Sequence, residues 1–360
     1  MPDTVPHLTQ RLDDIHTRYR RSFANRSRAT RDLGQLDGLI RELGELSGAV
    51  APVAGAPVAL GARISELQDL FTRERGAIAA VLSRGPDAIA VARLADWSDV
   101  DFHRYMRLFG GQNRTTRDLE LLRELLADET ARRAALLALP GAVDQDDGAQ
   151  LKTRLDSNIA LYEKEVAAIP VARRSLDARE YSRVLATLAN GQFALYRLHF
   201  AEKPRRGRRI ALLERIIRSL DAVSRAMVAV KELGVDNESH RSNITKVAER
   251  IAHHKSELEQ VRAAKAGSSS GALAGTLGDE ANAVFQTYRS EFSGQPRATR
   301  NADRLSEHAE RLHEIARGMN ELQAAMPEAG NANNLGIVLD ALKVYEREYR
   351  AVKDARTAQA

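Results

Sequence analysis

The phrase GGQNRTTRDLELL at residues 110–122 recurs as SGQPRATRNADRL at residues 293–305. A chain that spells one phrase twice is assembled from a unit, and the unit limits the possible folds more than any single motif does. Upstream the match extends to Tyr105 and Tyr288, and the same spacing finds further copies at Tyr19 and Tyr196. The shared frame is Y-x-x-x-F-x-x-x-x-R-x-x-R. It reads Tyr19, Phe23, Arg28 and Arg31 in the first copy, and Tyr105, Phe109, Arg114 and Arg117 in the second. The third copy has Tyr196, Phe200, Arg205 and Arg208; the fourth has Tyr288, Phe292, Arg297 and Arg300. Successive tyrosines stand 86, 91 and 92 residues apart.

The frame grows in both directions. Eleven residues before each Tyr lies Leu8, Leu94, Leu185 or Leu277, and three before it lies His16, Phe102, Phe193 or Phe285. Seventeen residues after it comes Leu36, Leu122, Leu213 or Leu305. Later in each copy an aromatic residue or His precedes a Glu by three: Phe71 and Glu74, Tyr162 and Glu165, His254 and Glu257, Tyr345 and Glu348. The expected organisation is four repeats of about 90 residues, over 1–86, 87–178, 179–270 and 271–360.

Each copy reads as three helices. The residue three before the Tyr, the Tyr and the following Phe fall at i, i+3 and i+7, one face of helix A and hence core. A Gly- or Pro-bearing connector such as FSGQPRAT stops that helix. Helix B is expected to be capped by Thr30, Thr116, Gly207 and Thr299, with Asp32 and Asp118 in its first turn. A polar loop then leads to helix C, as in VLDALKVYEREYRAVKDA. A 20–25-residue helix spans roughly 30–38 Å, and three of them bury a core that none could bury alone. The expected fold is all-α: four tandem three-helix bundles forming an elongated array. The stretch AAKAGSSSGALAGTLGDE at 263–280 reads as a flexible Gly/Ser/Ala linker that lets the fourth copy swing.

On this frame Arg31, Arg117, Arg208 and Arg300 occupy the first position of helix B. A cation there opposes the helix dipole by a few tenths to about 1 kcal/mol, so a compensating anion is expected. The internal candidates are Glu74, Glu165, Glu257 and Glu348, because helix C runs toward the same pole as helix A. An Arg–Glu clasp would fix the A–B connector. The external candidate is a polyanion held by the eight paired arginines, with KPRRGRR at 203–209 as the most basic stretch and the tyrosines as stacking platforms. The 54 basic residues face 49 acidic ones, a net charge of +5, and so near a balance reads more simply as a bacterial-like, Arg-rich composition than as a phosphate-binding surface.

Other classes are disfavoured. With no cysteine, thiolate metal sites, disulfides and cysteine nucleophiles are excluded, which fits a cytoplasmic protein. MPDTVPHLTQRLDD lacks the charged start and apolar run of a secretory signal. The most apolar stretch, residues 47–62, falls short of the roughly 20 apolar residues of a membrane span. Neither His253 with His254 nor His308 with His313 has a zinc spacing, and no phosphate loop, dinucleotide fingerprint or nucleophile elbow occurs. The expectation is a non-enzymatic helical-repeat scaffold or adaptor without metal or cofactor, binding protein or self-associating, with nucleic-acid or other polyanion binding as the alternative.

Overall fold

The computed structural model describes residues 4–23, 31–50, 57–83, 85–327 and 331–357. All regular structure among them is helical. The chain divides into two compact units, residues 1–93 and 94–360.

The first unit contains α1 (Val5–Phe23), α2 (Leu33–Val50) and α3 (Val58–Leu82). Its logic is clearest in α2, where Leu36, Leu39, Leu43, Leu46 and Val50 recur every three or four residues and are all buried. They meet Leu8, Leu12, Ile15 and Phe23 of α1 and Ile64, Phe71 and Ile78 of α3. Each fully buried Leu or Phe contributes roughly 1.5–3 kcal/mol. Tyr19 lies flat on Phe71, with ring centroids 4.2 Å apart.

The chain enters the second unit along α4 (Pro86–Phe109). There follow α5 (Leu119–Leu137), α6 (Asp146–Arg174), α7 (Ala178–Phe200), α8 (Ile210–Glu232) and α9 (Glu238–Ala266). The unit closes with α10 (Ser270–Phe292), α11 (Ala302–Ala325) and α12 (Ala332–Thr357). Tyr105, Phe109, Leu122, Leu125, Tyr162 and Ile169 form one core between α4, α5 and α6. A larger core joins α7, α8 and α9 through Phe200, Leu213, Ile216, Leu220 and Val261. α8 stops where Gly234, at φ 96°, takes a left-handed turn that a side chain would resist. The last three helices share Leu277, Leu312, Ile315, Leu342 and Tyr345, and Trp97 and Val100 of α4 belong to the same core.

Two expectations change here. The Gly/Ser/Ala stretch is largely helix: α9 runs to Ala266, Ser269 caps α10 by accepting the Ala272 amide, and Leu273, Ala274 and Leu277 are buried. Close packing overrides the poor helix propensity of Gly and Ser; Gly318 of α11 leaves just enough room for Leu277. The fourth copy also meets the second, not merely the third. In an array each copy contacts its sequence neighbours alone, but Arg104 of α4 is bonded to Glu310 of α11, because complementary charges of α4 and α11 face each other out of water.

Candidate functional site

The A–B connectors are built alike wherever they are described. After helix A the chain makes one 3₁₀ turn, at Arg114–Thr116, Arg205–Gly207 and Arg297–Thr299. The next residue, Arg117, Arg208 or Arg300, is extended. Helix B therefore begins two residues later than the sequence suggested. Thr116, Gly207 and Thr299 are not its caps, and Thr30 lies outside the described residues. Asp118 caps α5 by accepting the amides of Glu120 and Leu121; Asn301 caps α11 in the same way through Asp303 and Arg304. In the first copy Asp32 accepts the Gln35 amide. The recurring arginines precede the helix, so they do not oppose its dipole.

The structure brings these arginines onto the recurring glutamates. Arg31 bonds Glu74 through Nη1, while Arg28 lies outside the described residues. Arg114 grips Glu165 with Nε at 3.2 Å and Nη2 at 2.9 Å, and Arg117 Nη1 bonds the same carboxylate. Arg208 bonds Glu257, with Arg205 at 4.0 Å. Arg300 lies 2.5 Å and Arg297 3.2 Å from Glu348. The hydrogen bond from Arg114, against the cost of burial, holds the Glu165 carboxyl below its ordinary range.

The two arginines of a pair are not equivalent. The side chains of Arg117, Arg208 and Arg300 are 14, 13 and 17% exposed, those of Arg114, Arg205 and Arg297 44, 52 and 63%. The inner arginine also donates to the carbonyl five residues back: Gln112 at 3.2 Å, Lys203 at 3.0 Å and Gln295 at 3.0 Å. It thus ties helix C to both ends of the connector. Helix C returns the contact, because Arg173 donates to the Thr115 and Arg117 carbonyls and Arg356 to that of Arg300. Both stand 11 residues after the recurring Tyr162 or Tyr345, a spacing that the sequence reading passed over.

Beside each clasp the recurring Tyr packs against the recurring ring of helix C. Centroid separations are 5.1 Å for Tyr105–Tyr162, 4.2 Å for Tyr196–His254 and 4.1 Å for Tyr288–Tyr345. Phe23, Phe109, Phe200 and Phe292 are all buried. These rings fill core space and offer no open platform for a base.

The third copy breaks the cap rule. Where the others have Asp32, Asp118 and Asn301 it has Arg209, which makes no cap bond. Instead Arg209 reaches Glu314 at 2.7 Å, Glu124 at 3.1 Å and Glu321 at 2.7 Å. This is the rim of a buried charge cluster. Arg104 Nη2 lies 2.6 Å from Glu314 and also bonds Glu310. Arg107 reaches Glu346 at 3.0 Å and Glu310 at 3.1 Å. Arg317 meets Asp128 at 2.5 Å and Asp101 at 3.3 Å, and Arg132 meets Asp101 at 2.5 Å. Arg215, wholly buried, is 3.2 Å from Glu124. Six arginines thus face Asp101, Glu124, Asp128, Glu310, Glu314 and Glu346 with little water between them.

Charge balance keeps most of this cluster ionised. Burial pushes the Glu310, Glu314 and Asp101 carboxyls up, but the surrounding guanidinium groups outweigh it and hold them well below the ordinary range. Glu129, at the edge, has weaker support from Arg132, and burial raises it to about 7. His199 is lowered to about 3 by burial. His313 sits between Asp101 and Glu346 at 3.7 and 3.6 Å and is likewise depressed by burial. His308, the other member of that pair, bonds Glu291 at 2.9 Å.

Sequence reasoning missed this cluster because its signal is a polar stripe. Glu310, His313, Glu314 and Arg317 fall at i, i+3, i+4 and i+7, as do Asp101 and Arg104 at i and i+3, and such stripes ordinarily face water. The basic run at 203–209 is largely neutralised within the fold: Lys203 bonds Glu280 at 3.0 Å, Arg208 bonds Glu257, and Arg209 serves the cluster. Among the described residues no group of three or more acidic or His side chains could hold a metal ion, and no helix is long and apolar enough to cross a membrane. No protein-family model, curated protein or solved structure matches the chain.

Proposed function

We propose that the protein is a non-enzymatic helical-repeat scaffold or adaptor, built of four tandem three-helix bundles and acting by protein–protein interaction. The carrying observation is that the recurring Arg and Glu side chains are turned on each other within each copy. The recurring frame is thereby spent on holding the connectors, and the residues that differ between copies are left for recognition. Leu233 and Leu137, at the helix B ends of two copies, are 74 and 48% exposed, and we take them as the contact positions to test. We take the scaffold to be cytoplasmic, a reading that a cysteine-free sequence fits.

Polyanion binding is the weaker reading, because a phosphate would have to displace a bonded carboxylate at each clasp. The deciding experiment pairs capture of partners on the immobilised chain with chromatography on heparin. The scaffold reading expects defined proteins retained at physiological salt, lost on Leu233→Glu or Leu137→Glu, and no heparin retention. Strong heparin binding that falls steeply with salt, without a captured protein, would replace it.

A further inference from the structure

The groove between α7 and α9 differs from its counterparts in chemistry. Where the other copies place Phe71, Tyr162 and Tyr345 on helix C, the third has His254. Four residues earlier it has Arg250 in place of Leu67, Asn158 and Ala341, and one residue earlier His253 in place of Leu70, Leu161 and Val344. These residues line a cavity of about 730 Å³. That lies within the 300–1,000 Å³ typical of small-molecule sites.

The floor is flat and apolar. Phe193 and Tyr196 line it from α7, and His254 lies against Tyr196 at 4.2 Å with 32° between the rings. The Tyr196 hydroxyl, donating to Glu257 at 3.2 Å, fixes that ring to the clasp. His254 is 1% exposed, yet neither ring nitrogen has a hydrogen-bond partner among the described residues. An unmet buried imidazole is costly and calls for an explanation. Burial, with His253 and Arg250 adding to it, lowers His254 to about 4, so at neutral pH the ring carries one N–H donor and one acceptor.

The rim is cationic. Arg197, Lys246 and Arg250 border the cavity against one acid, Glu249, and none of the three forms an ion pair among the described residues. With no carboxylate bonded to them, the three leave their charge available at the edge of an apolar floor.

We propose that this groove binds a small organic anion. A flat apolar or aromatic body lies on Phe193 and Tyr196, and an acidic group (carboxylate, sulfonate or phosphate) sits among Arg197, Lys246 and Arg250. The site is independent of the scaffold reading and stands or falls separately.

The probe is anilinonaphthalene sulfonate, titrated into the full chain by fluorescence and calorimetry. One saturable site per chain is expected, with affinity weakened at least tenfold by Arg250→Leu or Lys246→Glu and abolished by His254→Tyr, which restores the ring found at Tyr162 and Tyr345. Uncharged naphthol should bind at least tenfold more weakly. The two rim substitutions are at exposed positions and leave the fold intact, so they decide the matter even if His254→Tyr does not fold. Absence of a saturable site, or the same affinity in wild type and both rim variants, would overturn the proposal.

Discussion

The clasps and the buried cluster use the same two side chains to opposite effect. In a clasp such as Arg117–Glu165 the outer partner Arg114 is 44% exposed and carries the ion pair out to water, and a neighbouring carbonyl shares the inner guanidinium. Water remains close, so the desolvation cost is modest and the net contribution small. In the cluster Arg104 is wholly buried and its carboxylates nearly so. Desolvating such ions costs several kcal/mol each, which mutual attraction offsets only if every partner is present. The clasp is a local brace that can be copied from unit to unit. The cluster is a one-time junction whose members depend on one another.

Removing a partner from the cluster should therefore have the largest effect. Arg104→Ala leaves Glu310 and Glu314 short of a cation, and a loss of about 3–5 kcal/mol is expected. The sole tryptophan, Trp97, is buried in the same unit, so its fluorescence in urea reads this unit's unfolding within the whole chain. A loss below about 1 kcal/mol would mean that water or rearranged partners repair the cluster, erasing its contrast with the clasps.

The edge of the cluster carries a pH signature. Glu129 is raised to about 7 in the folded chain, against an ordinary value near 4.3, so the folded state holds this proton more tightly than the unfolded one. Its contribution to stability is full below the ordinary value and is lost as pH rises through about 7. Glu129→Gln removes that loss. The variant should gain on wild type by up to about 3 kcal/mol between pH 5 and pH 8, and parallel stability curves would show that Glu129 is ionised at little cost.

Within the clasps a smaller gradient is expected. Arg117→Ala breaks the bonds to Glu165 and to the connector, costing about 1–2 kcal/mol. Arg114→Ala removes an exposed partner and should cost about 0–0.5 kcal/mol. Urea midpoints of the two variants test the asymmetry; equal losses would make the pair a single unit rather than a brace with an outer attendant.

Much of the helical plan is legible without coordinates. Leucines every three or four residues, as at Leu36, Leu39 and Leu43, can satisfy their burial only on one face of a helix. The frame from Tyr105 to Arg117 marks a connector because Gly and polar residues interrupt that period. Local turn chemistry was less legible. Thr116 and Asp118 are both sound N-caps by type, and only the 3₁₀ turn at Arg114–Thr116 selects Asp118. The segment at 263–280 is hard to read as helix because Gly and Ser have weak helix propensity and burial of Leu273 and Leu277 is a long-range event.

By itself, then, the sequence determined the helical class, the repeating frame and which Arg and Glu residues share it, since these follow from periodicity and spacing along one chain. Tertiary structure alone decided which charged stripe faces water and which faces another stripe. Glu310, Glu314 and Arg317 look like a solvated helix face until α4 and α8 bring Arg104, Asp101 and Arg215 against them. A residue's charge is local information, but the dielectric around it is set by whatever chain segment comes to lie opposite, here some 200 residues away.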